Sequence, residues 1–284
     1  MNYRHAYHAG NHGDVLKHTT LTAAIGLLHD KPAPLFLLDT HAGIGAYDLA
    51  GVEAGKTGEW QAGIGAALSS DIPGIQPYLD IVRGLNPAGV LWHYPGSPAI
   101  MAALTRPGDR LVLSELHPDD AETLRRWAHG RPGIAVHHRD AYEALKAFLP
   151  PAEGRGLIVV DPPYEAIDEY DRVAKAVVSG HRRWPGGRWM IWHPVKERAP
   201  VWRLEEALLA GGVDKMLAVE LLVRPVDGVS LAGSGLILVN PPYGLEPWLA
   251  EALPQLQAAL APQHGSHALK WLGGSEGCYD RLHS

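Results

Sequence analysis

The sequence predicts an α/β fold: a doubly wound, mostly parallel sheet with a small helical subdomain inserted in the first crossover. Three observations predict it. Short apolar runs alternate with helix-like segments along most of the chain, the first run ends in a glycine-rich turn, and a later run stops at two consecutive prolines. With 284 residues, 46% hydrophobic and 20% charged, the chain can bury a large core, which excludes disordered and fibrous classes.

In chain order, residues 14–29 (DVLKHTTLTAAIGLLH) have helical spacing, with Asp14 placed to cap the start and Val15, Leu16, Thr19, Ala23, Leu27 and Leu28 on one side. Pro32 and Pro34 end it. Residues 35–38 (LFLL) then read as a buried strand that closes in Asp39 and enters Thr40-His41-Ala42-Gly43-Ile44-Gly45. Glu115 follows Gly45 by 70 positions, whereas a minimal βαβ unit reaches its acidic strand end in about 20. The glycine- and proline-rich segment 46–94 is therefore expected to be an inserted helical subdomain, with 1–45 and 95–284 forming the sheet domain.

Further strands are expected at 110–115 (RLVLSE), 134–138, 157–161 (LIVVD) and 189–193, with helices at 118–129 and 168–180 between some of them. The runs at 216–223 and 236–239 lie a turn apart and predict an antiparallel pair at the sheet's end. No apolar run reaches about 18 residues, and the start, MNYRHAYHAGNH, is polar. A single cysteine, Cys278, excludes an internal disulfide framework. A cytoplasmic protein with no membrane partner is expected. Its 25 Lys+Arg against 31 Asp+Glu give a net charge of −6, so a nucleic-acid partner must be held by a local patch. The candidates are Arg4, His5, Lys17 and His18; Arg125, Arg126 and Arg131; and His181, Arg182, Arg183 and Arg188.

The most informative phrase is Asp161-Pro162-Pro163-Tyr164, directly after Leu157-Ile158-Val159-Val160. Two prolines cannot continue a central strand, so the chain leaves the sheet in a stiff loop at the strand's C-terminal end, where open α/β sheets hold ligands. The phrase resembles motif IV of S-adenosylmethionine-dependent amino-methyltransferases. An exocyclic adenine amine is a poor nucleophile because its lone pair is delocalised into the ring. The Asp161 carboxylate and the Pro162 carbonyl can each accept one of its N–H groups, and the Tyr164 ring can stack on the base. The alternative is a plain turn with a capping aspartate. Asn240-Pro241-Pro242-Tyr243 has the same pattern but comes late, with no parallel unit after it, and is expected to be structural.

Residues 38–45 resemble motif I of the same enzymes, in which glycines such as Gly43 let backbone approach the cofactor. Glu115 stands where a carboxylate takes ribose hydroxyls, and Asp140 where one takes the cofactor's adenine amine; either could instead cap a helix. His8 and His12 have the i, i+4 spacing of a metal pair. Gly10 and Gly13 argue against one helix across them, no acidic or thiolate partner stands at ligand spacing, and no metal is expected.

Tyr3-Arg4-His5, His8-Ala9-Gly10-Asn11-His12, Asp14-Val15-Leu16-Lys17-His18, Leu38-Asp39-Thr40-His41-Ala42-Gly43, Thr57-Gly58-Glu59, Tyr94-Pro95-Gly96-Ser97-Pro98, Glu115-Leu116-His117-Pro118 and Asp161-Pro162-Pro163-Tyr164-Glu165 follow one another here. In that order they resemble the RlmJ family, the bacterial 23S ribosomal RNA (adenine(2030)-N6)-methyltransferases. The resemblance implies a class I, Rossmann-like S-adenosylmethionine-dependent methyltransferase. It implies cofactor contacts from His18, His41, Ser97, Glu115, Asp140 and Ala141, with Asp161 catalytic and Tyr3, His5 and Lys17 meeting substrate. Ala141 stands where some members carry glycine. The implied partner is 23S ribosomal RNA, protein-free or early in assembly, met by a monomer. The rival expectations are a DNA adenine N6-methyltransferase and a catalytically silent RNA-binding protein.

Overall fold

The computed structural model describes residues 4–273, so Tyr3 and Cys278 lie outside the described residues. After a 3-10 turn at His5–Tyr7, the chain forms α1 (His12–Leu28) and β1 (Phe36–Asp39). The segment that follows contains β2 (Ala46–Asp48), α2 (Val52–Thr57), α3 (Ala66–Leu68), α4 (Gln76–Gly84) and β3 (His93–Pro95). Next come α5 (Ser97–Leu104), β4 (Arg110–Glu115), α6 (Pro118–Ala128), β5 (Ile134–His138), α7 (Ala141–Phe148), β6 (Gly156–Val160) and α8 (Glu169–Arg183). The chain closes with β7 (Arg188–Val195), α9 (Arg198–Ala210), β8 (Met216–Leu222), β9 (Gly233–Val239), α10 (Leu245–Leu260) and β10 (Ser266–Leu272).

Eight strands form one sheet in the order β10-β8-β9-β7-β6-β1-β4-β5, so the α/β expectation holds. The pairings from β7 through β6, β1 and β4 to β5 are parallel. The expected antiparallel pair exists as β8 and β9, but it is not the sheet's end. β9 lies between β8 and β7, and β10 pairs beyond β8 as the edge. A half-exposed edge strand, SHALKWL, has its apolar residues in two adjacent pairs, 268–269 and 271–272, neither an alternation nor a continuous run, so its pattern does not read as a strand.

Two hydrophobic layers sandwich the sheet. On one face Phe36, Leu38, Ile158 and Ile191 pack against Val173 and Val177 of α8 and Leu204 and Leu208 of α9. On the other face α5 covers β1 and β4, while α1 lies over β7 and β9 near Met190, Leu236 and Leu238 and also meets Ile64, Tyr78 and Leu79 of the 46–94 segment and Leu249 and Leu253 of α10. Each fully buried side chain of this kind contributes roughly 1.5–3 kcal/mol.

α1 departs from the sequence expectation in two ways. It starts at His12, and Asn11 is its cap, with Oδ1 accepting the Asp14 N–H at 3.0 Å. Asp14 cannot cap because its carboxylate accepts the Gly10 N–H at 2.8 Å and pairs with His5. The helix is also enclosed rather than one-faced: 13 of its 17 residues are buried, among them Asp14, Lys17 and His18. Covering by the sheet on one side and residues 46–94 on the other accounts for it.

β2 and β3 pair antiparallel and close the base of the 46–94 segment. Its backbone touches the N-terminal loop at Gly63, where a Cβ would lie 2.0 Å from the Gly10 carbonyl oxygen, and the Ile64 N–H donates to that oxygen at 2.8 Å. Only glycine permits this approach. Among the described residues no helix is long and apolar enough to cross a membrane.

Candidate active site

Parallel register places Asp39 of β1 opposite Leu113 of β4 and Val159 of β6. β4 therefore runs on to Glu115, and the β6 chain to Asp161, at the same C-terminal edge where β5 delivers Asp140. A cavity of about 280 Å³ opens along this edge. Its wall brings together His5, Lys17, His18, His41, Gly43, Ser97, Glu115, Asp140, Ala141, Asp161 and Pro162, eleven residues singled out from sequence.

Asp39 is fully buried beneath the glycine turn. Ser97 Oγ donates to its Oδ2 at 2.6 Å and the His41 N–H to its Oδ1 at 3.2 Å. Burial outweighs these bonds and pushes its carboxyl from 3.8 up to about 6. The unfolded chain releases this proton near pH 4 and the folded chain near 6, so folding takes up a proton between them. Stability from this group therefore falls as pH rises through that window, by roughly 3 kcal/mol in all. Urea midpoints measured from pH 4 to 7 should converge at the acid end and separate above pH 6, with Asp39→Asn the more stable; parallel curves would remove this reading.

Glu115 accepts the Gly43 N–H on Oε2 and the His117 N–H on Oε1, each at 2.8 Å, and burial raises its carboxyl above the usual range. Gly43 has φ +63, and a Cβ there would sit 2.3 Å from Tyr47 Oη, so bare backbone faces Glu115. Asp140 caps α7 through Oδ1, which accepts the N–H groups of Tyr142 (2.9 Å) and Glu143 (3.1 Å). Its Oδ2 lies 3.8 Å from Arg172, so the cap and a cavity-facing oxygen coexist on one side chain. The Arg172 guanidinium stacks over the Tyr142 ring at 4.6 Å.

Two histidines on the wall are neutral. Burial pushes His41 down to about 4. Thr40 Oγ1 donates to the Val159 carbonyl at 2.9 Å and lies 2.9 Å from His41 Nδ1, which assigns the proton to Nδ1 and leaves Nε2 an acceptor. His18 is held well below its ordinary range by burial and then by Lys17, and its Nδ1 is 2.7 Å from Tyr94 Oη, itself 3.0 Å from Tyr78 Oη.

At the other end an ion network crosses the wall. Lys17 Nζ reaches Asp161 Oδ2 at 2.5 Å and Asp14 Oδ1 at 2.9 Å, while His5 Nε2 is 2.9 Å from Asp14 Oδ2. Burial alone would strip the charge from Lys17, but Asp14 and Asp161 hold its ammonium well above the usual lysine range. Asp14 is likewise held well below the carboxylate range, against burial, by His5 and Lys17. The cap expected at Asp14 is instead an ion-pair partner, and the i, i+3 spacing of Asp14 and Lys17 is the sequence signal for that pair.

Tyr164 departs from its expected place. With φ +52, it donates from Oη to the Trp192 carbonyl at 2.8 Å and packs its ring 4.4 Å from Tyr170, so it is turned into the α8–β7 contact and is not on the cavity wall. Trp192, Pro194 and Leu231 supply wall that nothing in the sequence marks, and His12, without a metal role, is part of it too. His8 finds an acidic partner that its spacing hid: Nδ1 is 3.0 Å from Glu59 of the 46–94 segment, and Asn11 Nδ2 donates to Glu59 Oε2 at 3.1 Å. The second diproline phrase is a structural turn, as expected. Asn240, at φ +50, donates from Nδ2 to the carbonyls of Pro185 and Gly187 at 2.8 Å each. Because β9 runs antiparallel, this turn lies at the opposite edge of the sheet.

A family model described as "Ribosomal RNA large subunit methyltransferase D, RlmJ" matches residues 32–273. A Haemophilus influenzae protein named ribosomal RNA large subunit methyltransferase J is 42% identical over 96% of this chain and 99% of its own. An Escherichia coli protein of the same name is 40% identical over 96% and 99%. The crystal structure of protein LPL1258 from Legionella pneumophila superposes with a TM-score of 0.87 at 33% identity, covering 95% of this chain and all of that one.

Proposed function

The chain belongs to the RlmJ family of ribosomal RNA large subunit methyltransferases, and on that premise we propose that it methylates N6 of adenine 2030 in 23S ribosomal RNA. The observation that carries the reading is Asp161, pinned by Lys17 beside Pro162 on a cavity whose other rim presents Glu115 and Asp140. The residues fit S-adenosylmethionine. Glu115 accepts the Gly43 and His117 N–H groups, one on each oxygen, and a carboxylate has lone pairs beyond these for a ribose hydroxyl, while Asp140 Oδ2 is outside the helix cap. When bound there, the cofactor supplies an electrophilic methyl group on a sulfonium.

Lys17 occupies Asp161 Oδ2 and so fixes the carboxylate's rotation, leaving Oδ1 to accept one N–H of the target amine while the Pro162 carbonyl accepts the other. That pair localises the nitrogen lone pair for in-line attack, and Oδ1 is the acceptor for the proton the amine sheds. His18 and His41, both neutral, add no positive charge beside the electrophile. Tyr164 braces the loop through Trp192, and stacking on the base falls to other wall residues, Trp192 among them. Tyr3 and His5 meet the substrate. An adenine inside a helix hides N6, so the target is splayed from its stack. Residues 46–94 form a substrate-facing wall, tied to the N-terminal loop through Glu59. The substrate is protein-free or early-assembly RNA, met by a monomer in the cytoplasm.

Methyl transfer from labelled S-adenosylmethionine tests this on three substrates: unmodified protein-free 23S RNA, assembled large subunits, and adenine-rich DNA. N6-methyladenosine in the RNA alone, read by nucleoside mass spectrometry, is the expected result. Label in DNA would replace the substrate class, and cofactor binding without transfer would make the protein a silent binder.

A further inference from the structure

A second cavity of about 270 Å³ lies between α7 and α8, outside the chemistry described above, and four cations line it: Lys146, Arg172, Lys175 and Arg183. Three of them belong to α8, where positions 172, 175, 179 and 183 recur at helical spacing and include Ser179. The stripe runs for roughly 16 Å along the axis. Glu143 and Asp171, on the same helices, are not among the residues lining it.

The cations differ in what they already do. Arg183 donates to the carbonyls of Lys146 and Leu149 and closes the C-terminal end of α7, and Arg172 lies over Tyr142 and near Asp140 and Glu169. Lys146 and Lys175 are exposed and have no ion pair among the described residues. Neither ammonium is held within 4 Å of a carboxylate among the described residues, in a protein whose net charge is −6. The groove is also continuous with the site, since Tyr142 and Arg172 line both cavities.

We infer that the α7–α8 groove docks the phosphodiester backbone of the RNA flanking the target adenine, with Lys146 and Lys175 each neutralising a phosphate. This rests on the proposed ribosomal RNA methyltransfer. A polyanion approaching a negative protein needs a local basic track, and one that ends at the cavity mouth positions the strand without reading its sequence.

The test uses the full chain carrying Lys146→Glu and Lys175→Glu together. A charge-matched control carries Lys31→Glu and Lys215→Glu, two exposed lysines at the start of β1 and β8 and thus at the far edge of the sheet. Affinity for protein-free 23S RNA is measured by mobility shift from 50 to 300 mM KCl, and kcat/KM for methylation in parallel, with calorimetry of S-adenosylmethionine binding. The groove variant should bind RNA about tenfold more weakly at 150 mM and lower the slope of log affinity against log salt by about 1.5, two phosphate contacts' worth. The drop in kcat/KM should fall on KM, cofactor affinity should stay unchanged, and the control should match wild type. Equal RNA affinity and slope in variant and wild type would overturn the inference. A wild-type protein that binds RNA through the groove yet transfers no methyl would uphold it and remove the proposed function instead.

Discussion

Asp161→Ala should lower single-turnover methylation by at least 10²- to 10³-fold, the range lost when a positioned acceptor is removed from a reacting centre, while S-adenosylmethionine affinity stays within a few fold. The split follows from the site's layout. Asp161 stands at the Lys17 end of the cavity, and the carboxylates suited to the cofactor, Glu115 and Asp140, come from β4 and the β5–α7 junction. The fold should survive, because Lys17 keeps Asp14 at 2.9 Å when Asp161 is gone. Asp161→Asn keeps the shape but turns one acceptor into a donor, and should be nearly as slow. Near wild-type turnover in either variant would end the assignment of the diproline loop to the chemistry.

Lys17→Met should have the largest effect on stability. It removes the ammonium that faces two carboxylates, one of them Asp14, which is 2% exposed. Breaking a buried pair from one side costs about 3–5 kcal/mol because the remaining charge is left without its partner. For a chain of this size that is a fall of roughly 5–8 °C in Tm, and turnover should fall too as Asp161 loses its orientation. Adding Asp14→Asn to Lys17→Met should recover much of the stability and none of the turnover, which separates the two roles. The acid side gives a further check. Asp14 is held well below 3.8 in the folded state, so its contribution is present above that pH and fades below it. A Lys17→Met protein melting with wild type would remove the network from the stability account.

What the sequence made legible was local. The strand that ends in Asp161 and two prolines, the glycine turn after β1 and the acidic ends of β4 and β5 each announce themselves within a few residues, and parallel register then brings them to one edge. What it hid depends on pairing at a distance. Glu59 meets His8 across 51 positions, and neither residue's neighbourhood signals the other. α1 read as one-faced because its buried polar residues, Asp14, Lys17 and His18, look like a solvated face until their partners are known. Tyr164 was misplaced because the phrase fixes the order of residues but not φ, and a φ of +52 turns the ring toward Tyr170. β10 was missed because an edge strand needs one apolar face at most.

The contact between Lys17 and Asp161 spans 144 positions, and that span sets a timetable for the newborn chain. At about 5–20 residues per second of synthesis, the N-terminal loop waits roughly 7 to 30 seconds for the carboxylate that completes its half of the site. The strands that α1 lies on, β7 and β9, are made later still, so its sheet-facing side waits longer than Lys17 does. Closing so long a loop adds little entropic cost beyond a shorter one, but it delays the step: the site cannot be complete before β6 and Asp161 have been made.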